Sequence, residues 1–345
     1  MITRRAFAKV NLMLSVGEAL PAEHAKGGYH PIASWLSAIG LHDDMTIAPL
    51  EAGQASKYDI RWAEDAPRAG LVDWPLEKDL AVRAHRAMEA RVGRALPVAM
   101  KLVKRIPVGA GLGGGSSDAA ACLMAMREAF ELAMPDEVLR EIAMTLGSDV
   151  AFFVDEEGRE EDDEEVSGGR PPRPALVSGL GEVIERVEPI EKPILLVVPG
   201  FGCSTPAVYK AFDDALAAEL KEYRMDRAVA GATGRERSTG PREEMVRGRV
   251  AKMIERGSVA PDLLFNDLSK AAFAVEPRLG QLVTALSNAT RSPAHVTGSG
   301  SCVFLAPPAA KMEWYVPRVQ KACAALGATG AFGGEPVVVV TGLVG

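Results

Sequence analysis

The sequence lacks several features that would each announce a class. No apolar run approaches the roughly 18 residues a membrane helix needs, so no span is expected in these 345 residues. The four cysteines, Cys122, Cys203, Cys302 and Cys323, are far apart and include no CxxC pair. That leaves neither a zinc signature nor a disulfide framework, and reduced thiols in a cytoplasm are the simplest reading. Positive charge is not in surplus: the formal net charge of −7 speaks against a general nucleic-acid binder. No internal repeat is apparent. Thr3 to Lys9 resembles a twin-arginine export signal, but Val10 to Val16 is too short and too polar for the apolar core of one, so the N-terminus is read as structure.

What is present is unevenly distributed. Nine acids and one Arg stand between Asp155 and Glu165, a local −8 that leaves the rest of the chain near +1. An anionic substrate therefore meets no global repulsion. Apolar alternation predicts strands over Arg5–Val16 and Ala99–Val103, and Ile194–Val198 reads as a buried strand. Ser116–Ala133 is rich in Ala, Leu and Met, free of Gly and Pro, and reads as a buried helix, followed by a shorter one over Pro135–Leu146. Asp155–Pro174 is read as a surface insertion, and Gly231–Arg249 as a second polar stretch, disordered or loosely helical. Strands interleave with helices on both sides of these insertions. The expectation is two α+β domains, residues 1–190 and 191–345.

Pro107 to Gly115 holds five glycines in nine positions and runs directly into the predicted helix. Glycines let main-chain amides approach an anion closely, and a helix start presents free N–H groups and the positive end of its dipole. The segment Pro107, Gly109, Gly111, Leu112, Gly113, Gly114, Gly115, Ser116 and Ser117 is accordingly a candidate polyphosphate site. The two serine hydroxyls are placed to cap the helix or reach a phosphate. Two other phosphate motifs fit worse. Gly109, Gly111 and Gly114 match GxGxxG, but Lys104-Arg105-Ile106-Pro107 interrupts the strand that a dinucleotide fold runs into its first glycine. The mononucleotide P-loop needs a lysine after the glycines, and none follows.

Pro107 to Ala120 resembles the second signature motif of the GHMP kinases. Ala8-Lys9-Val10-Asn11-Leu12 is similar to the first motif, Gly147-Ser148-Asp149-Val150 to the segment that supplies an aspartate, and Thr297-Gly298-Ser299-Gly300-Ser301 to the third. The resemblance implies an α+β, two-domain GHMP kinase architecture: a ribosomal protein S5 domain 2-like ATP-binding domain and a ferredoxin-like substrate-binding domain. It also implies ATP, with magnesium carried by the nucleotide and no protein ligand identified, and Lys9 and Asp149 as a catalytic pair. An alcohol must lose its proton to become a phosphate ester, and a carboxylate within reach can accept it. Lys9 would oppose charge on the transferring phosphoryl oxygens.

The triple glycine Gly113-Gly114-Gly115 before Ser-Ser-Asp resembles one branch of the family. That branch phosphorylates the 2-hydroxyl of a cytidine-diphosphate-linked methylerythritol in non-mevalonate isoprenoid synthesis. Gly28-Tyr29-His30 and the stretch Cys203 to Tyr209 resemble the same branch. They imply that Tyr29 and Tyr209 sandwich a cytosine while His30 bonds its edge. Asn11 and Thr205 are further candidates for substrate hydroxyls, and Gly298 and Ser299 for the diphosphate. Gly27 and Ser148 depart from the residues usual at those places. The expected partner is a small molecule bearing a cytidine diphosphate group, in the cytoplasm, with no nucleic acid or membrane involved; oligomeric state is left open. The alternatives are another GHMP small-molecule kinase, of homoserine or mevalonate type, and a non-catalytic ligand sensor on the same fold.

Overall fold

A computed structural model describes residues 1–70, 72–155, 168–230 and 240–345. The acidic run from residue 156 on, and the first part of the polar stretch at 231–249, lie outside the described residues.

The longest pairing comes first in the chain. β1 (Ile2–Val16) and β2 (Ile32–Pro49) run antiparallel, from Ile2 opposite Ile47 to Val16 opposite Ile32. Two register irregularities interrupt them, between Phe7 and Ala8 and between Asn11 and Met13. Because side-chain period in a strand is 2, each irregularity transfers positions to the other face. Ala6 packs in one core, whereas Ala8, Val10 and Leu12 pack in another. Every residue from Ala6 to Val16 is buried.

The chain continues through β3 (Lys57–Trp62), α1 (Leu80–Val92), β4 (Val98–Lys104), α2 (Gly114–Ala129), α3 (Asp136–Leu146), β5 (Ala175–Gly179), β6 (Val183–Arg186) and β7 (Pro193–Val198). After these come α4 (Thr205–Ala230), α5 (Glu243–Glu255), β8 (Phe265–Asn266), α6 (Ser269–Val275), α7 (Pro277–Thr290), β9 (His295–Val296), β10 (Val303–Leu305), α8 (Met312–Gly327) and β11 (Val337–Val344). The strands form one sheet with the order β3-β4-β2-β11-β7-β10-β9. One edge of β2 is taken up along its length by β1. The other is divided among β4 at Asp44–Pro49, β11 at Ala38 and Ile39, and β5 at Ile32–Leu36.

One core lies where α1, α2 and α3 meet the sheet, around Met45, Ile47, Leu102 and the buried run Ala119 to Leu123. A second gathers Leu12, Trp35, Ile39 and Phe304 under α5, and a third packs α7 and α8 on Leu195, Val197 and Val303.

The structure differs from the expected elements in three places. α2 begins at Gly114, two residues early, because Gly113 turns left-handed (φ 71°) and serves as its N-cap. It ends at Ala129, where Phe130 leaves helical angles and Glu131 takes φ 49°. Asp155, expected in a surface insertion, is buried: its carboxylate accepts from the Arg173 amide at 2.7 Å and pairs with the Arg173 and Arg186 guanidinium groups. From Glu243 the polar stretch is an ordinary helix, because Val246, Val250 and Met253 form a buried stripe at helical spacing.

Candidate active site

Lys9 sits in the part of β1 between the two irregularities, almost fully buried. Its ammonium donates to Asn11 Oδ1 at 2.6 Å and lies 3.4 Å from Asp149 Oδ2. The Asn11 amide is itself fixed: Nδ2 donates to Ser34 Oγ at 2.9 Å, and Ser34 donates on to the Met13 carbonyl at 2.7 Å. An ammonium can only donate, so the amide oxygen must face Lys9 and the NH₂ must face Ser34. The Asn11 backbone N–H donates to Thr297 Oγ1 at 3.0 Å, which ties β1 to the loop after β9.

The glycine bend wraps the other side of Lys9. The Lys9 N–H donates to the Leu112 carbonyl at 2.9 Å, and the Leu112 side chain is sunk in the core, so this residue anchors the bend. Pro107 is likewise buried. Gly109, Gly111 and Gly113 all take positive φ, 68°, 76° and 71°. At Gly111 the space is as restrictive as the angle: a Cβ there would collide with the Thr297 carbonyl. At Gly113 it would press on Lys9 Cγ at 3.0 Å. The bend therefore packs main chain to main chain against the 297–300 loop. The Cys302 N–H donates to the Ala110 carbonyl at 3.2 Å, and Asn266 Nδ2 donates to the Val296 and Gly298 carbonyls at 2.9 and 2.7 Å.

These elements line a cavity of about 390 Å³ with Lys9, Asn11, Gly111, Gly113, Asp149, Gly298 and Ser299. Tyr29, His30, Thr205 and Tyr209 line it too. Thr205 is the first residue of α4, and its hydroxyl meets that of Ser299 at 2.8 Å. His30 and Tyr209 pack ring to ring, 4.8 Å between centroids. Since a carbonyl only accepts, His30 Nδ1 must carry the proton it gives to the Gly17 carbonyl at 2.9 Å. His30 Nε2 stands 3.5 Å from Asp213, beyond hydrogen-bond length. Burial, followed by the Asp149 charge, pushes the Tyr209 hydroxyl up to about 12, so it stays protonated. Tyr29 is 58% exposed.

Eleven of the residues singled out in the sequence thus line one cavity. Pro107, Gly109, Leu112, Gly114, Gly115, Ser116 and Ser117 do not; they form the bend behind and beside it. Neither serine caps α2, because the helix starts before them and Gly113 holds the cap. Ser117 is buried, and Ser116 is half-buried next to the exposed Gly115. Ser34, Asn266 and Asp213 are not among the site residues read from the sequence: their partners are distant in sequence, and no local pattern marks them. Thr297 stands in the third motif, but its bond to the Asn11 N–H is not legible there. Among the described residues no group of three or more His, Cys, Asp or Glu side chains is gathered as for a metal ion.

A model of the GHMP kinases N terminal domain matches residues 79–156. The 4-diphosphocytidyl-2-C-methyl-D-erythritol kinase of Polaromonas sp. is 33% identical over 300 residues, covering 86% of this chain and 80% of its own length. That of Streptomyces coelicolor is 33% identical over 309 residues, with 88% and 87% covered. The chain belongs to the 4-diphosphocytidyl-2-C-methyl-D-erythritol kinase family. A crystal structure of 4-(cytidine 5'-diphospho)-2C-methyl-D-erythritol kinase matches over the whole of both chains, with a TM-score of 0.65 and 26% identity. The mevalonate kinase of Methanococcus jannaschii, at 12% identity and a TM-score of 0.55, shares the fold alone.

Kinases of this family use ATP, and the bend passes the test such a cosubstrate sets. Gly109 has no atom within 4 Å of where its Cβ would stand, while a Cβ at Gly111 would strike the Thr297 carbonyl and one at Gly113 would crowd Lys9 and Phe153. The bend thus offers open main chain on one side and a rigid seat on the other. That suits polyphosphate held by backbone amides at a helix start.

Proposed function

We propose that the protein transfers the γ-phosphoryl group of ATP to the 2-hydroxyl of 4-diphosphocytidyl-2-C-methyl-D-erythritol, in non-mevalonate isoprenoid precursor synthesis. The observation that carries this reading is the Lys9–Asp149 pair, 3.4 Å apart where the glycine bend meets a cavity walled by aromatic rings. Residues 1–190 form the ATP-binding half and 191–345 the substrate-binding half. The cavity takes Tyr29 and His30 from the first and Thr205, Tyr209, Gly298 and Ser299 from the second.

The amides of Gly109 to Gly115 and the Ser116 hydroxyl hold the triphosphate; magnesium, carried in with the nucleotide, would offset its charge. Asp149 orients the acceptor hydroxyl. As the new P–O bond forms and the bond to the ADP oxygen breaks, the hydroxyl proton passes to the Asp149 carboxylate. Phosphoryl transfer runs through a loose transition state, so that proton leaves late and alignment is the first task of the carboxylate. Lys9, aimed by Asn11, opposes the charge on the equatorial oxygens. The cytosine stacks between Tyr29 and Tyr209, each such contact worth about 1–3 kcal/mol, and His30 Nε2 is the nitrogen left to meet its edge. The α4 start at Thr205 and the Gly298–Ser299 main chain receive the diphosphate.

No helix among the described residues is long and apolar enough to cross a membrane, and all four cysteines are free and buried. A cytoplasmic enzyme fits both. ADP release measured with a panel of acceptors tests the reading. Turnover of the cytidyl alcohol is expected. Turnover of homoserine or mevalonate, with none of the cytidyl alcohol, would overturn the assignment to this substrate.

A further inference from the structure

Beneath the glycine bend lies a charge cluster that the reaction itself does not use. Asp43 of β2, Lys104 at the end of β4 and Asp118 in the second turn of α2 are all buried. Lys104 Nζ donates to Asp43 Oδ2 at 2.7 Å and, on its other side, to Asp118 Oδ2. The second Asp43 oxygen accepts from the Arg105 N–H and from the Ile106 N–H at 2.7 Å. These are the last two residues before the bend, and Asp118 belongs to the helix just after it. Residues 107–113 are therefore strung between two points joined by one ammonium.

The composition of this cluster is unusual for a device that only adds stability. Two carboxylates share one cation, and the guanidinium of the adjoining Arg105 is committed to Asp44 and Asp65. Asp118 Oδ1 is buried with no hydrogen-bond partner. Burial raises the Asp118 carboxyl well above its ordinary range, with Lys104 opposing and Asp43 adding to the rise. Burial alone would lower Lys104, but Asp118 and Asp43 outweigh it and hold it charged. Buried ion clusters are often replaceable by apolar side chains without loss of stability; what they supply is a defined arrangement.

We propose that Lys104 and Asp118 are positioning residues for the nucleotide, forming a clamp that fixes the separation of the two ends of the glycine bend and so presets its amides for a triphosphate. This rests on the ATP reading above. Ala110 and Leu112 already hold the middle of the bend; the clamp fixes its two ends, and glycines between loose ends would lose more entropy on gripping phosphate.

Asp118→Leu severs the clamp while leaving a neutral Lys104–Asp43 pair. Lys104→Met/Asp118→Leu removes the bridge itself and serves if the single variant does not fold. Calorimetric Kd for magnesium-ATP and steady-state KM for each substrate are to be measured beside the urea midpoint. The expected result is a rise of about tenfold or more in Kd and KM for ATP, with KM for the alcohol and the urea midpoint close to wild type. Asp118→Asn, which keeps a neutral hydrogen-bonding group at the same place, should restore ATP affinity. Wild-type ATP affinity in a folded Asp118→Leu or double variant would overturn the clamp. Failure of the wild type to bind ATP would instead overturn the reading on which the clamp rests.

Discussion

Asp149 and Lys9 are far apart in sequence, and it is their partners that make them a pair. Asp149→Asn keeps the shape of the side chain and removes its ability to take a proton. Turnover should fall by about 10²–10⁴, read as the rate of ADP release, with the unfolding midpoint unmoved because this carboxylate is partly exposed. A subtler test concerns Ser34. Its hydroxyl receives Asn11 Nδ2 and fixes which way the Asn11 amide faces. Ser34→Ala leaves that NH₂ unpaired in a buried site and frees the Asn11 side chain to shift from the place where its oxygen aims the Lys9 ammonium. A lost buried hydrogen bond costs about 1–3 kcal/mol, and turnover should drop by about tenfold while KM for ATP stays put. Ser34→Thr, which keeps the hydroxyl, should recover most of the loss. Unchanged turnover in Ser34→Ala would mean that the Asn11 orientation is set elsewhere. Lys9, Asn11 and Asp149 could be read from sequence because they sit in short motifs. Ser34 could not: it stands near the start of β2 with nothing beside it to distinguish it from any buried strand serine.

At the level of elements, the glycine bend shows which local rules survive into the structure. Five glycines in nine positions predicted a phosphate cradle, and three of them take left-handed angles. What the pattern did not reveal is that the glycines serve different purposes. Gly111 must be glycine because of the Thr297 carbonyl, from a loop nearly two hundred residues away, whereas Gly109 faces open space. The two positions therefore separate angle from contact. Gly109→Ala meets only the cost of a left-handed alanine, about 1–2 kcal/mol. Gly111→Ala meets the same cost and must also push the 297–300 loop away. We expect Gly111→Ala to lower the urea midpoint and to raise KM for both substrates, since that loop lines the acceptor side. Gly109→Ala should raise KM for ATP alone. Equal effects from the two variants would show that the main-chain contact contributes nothing. The strand and helix interiors were readable for the ordinary reason that apolar period dominates there. The boundaries of α2 were not, because Gly114 and Gly115 adopt helical angles that their residue type disfavours.

For the molecule as a whole, the sheet does not stop at the residue 190 boundary read from the sequence. β11 bonds β7 along its length and then reaches β2 at Ile39 and Ala38, so strands of both halves are joined through the last residues of the chain. Acid should test how well the β9–β10 end of this sheet holds. His295 of β9 packs against Phe304 with 5.5 Å between ring centroids, and its Nε2 is buried without a partner. Burial pushes its pKa down from 6.5 to about 4, against a smaller opposing effect of the Pro261 carbonyl and Asp262. In the unfolded chain the imidazole titrates near its ordinary value. Between those two values the unfolded state binds a proton that the folded state refuses, so stability is full above about 6.5 and drains away as pH falls toward 4. At pH 4.5 the loss from this one residue should be about 2 kcal/mol. His295→Phe fills the same space without a titrating group. Urea unfolding at pH 7 and pH 4.5 should show the wild type losing about 2 kcal/mol more than the variant over that interval. An equal loss in both would place the acid sensitivity elsewhere in the molecule.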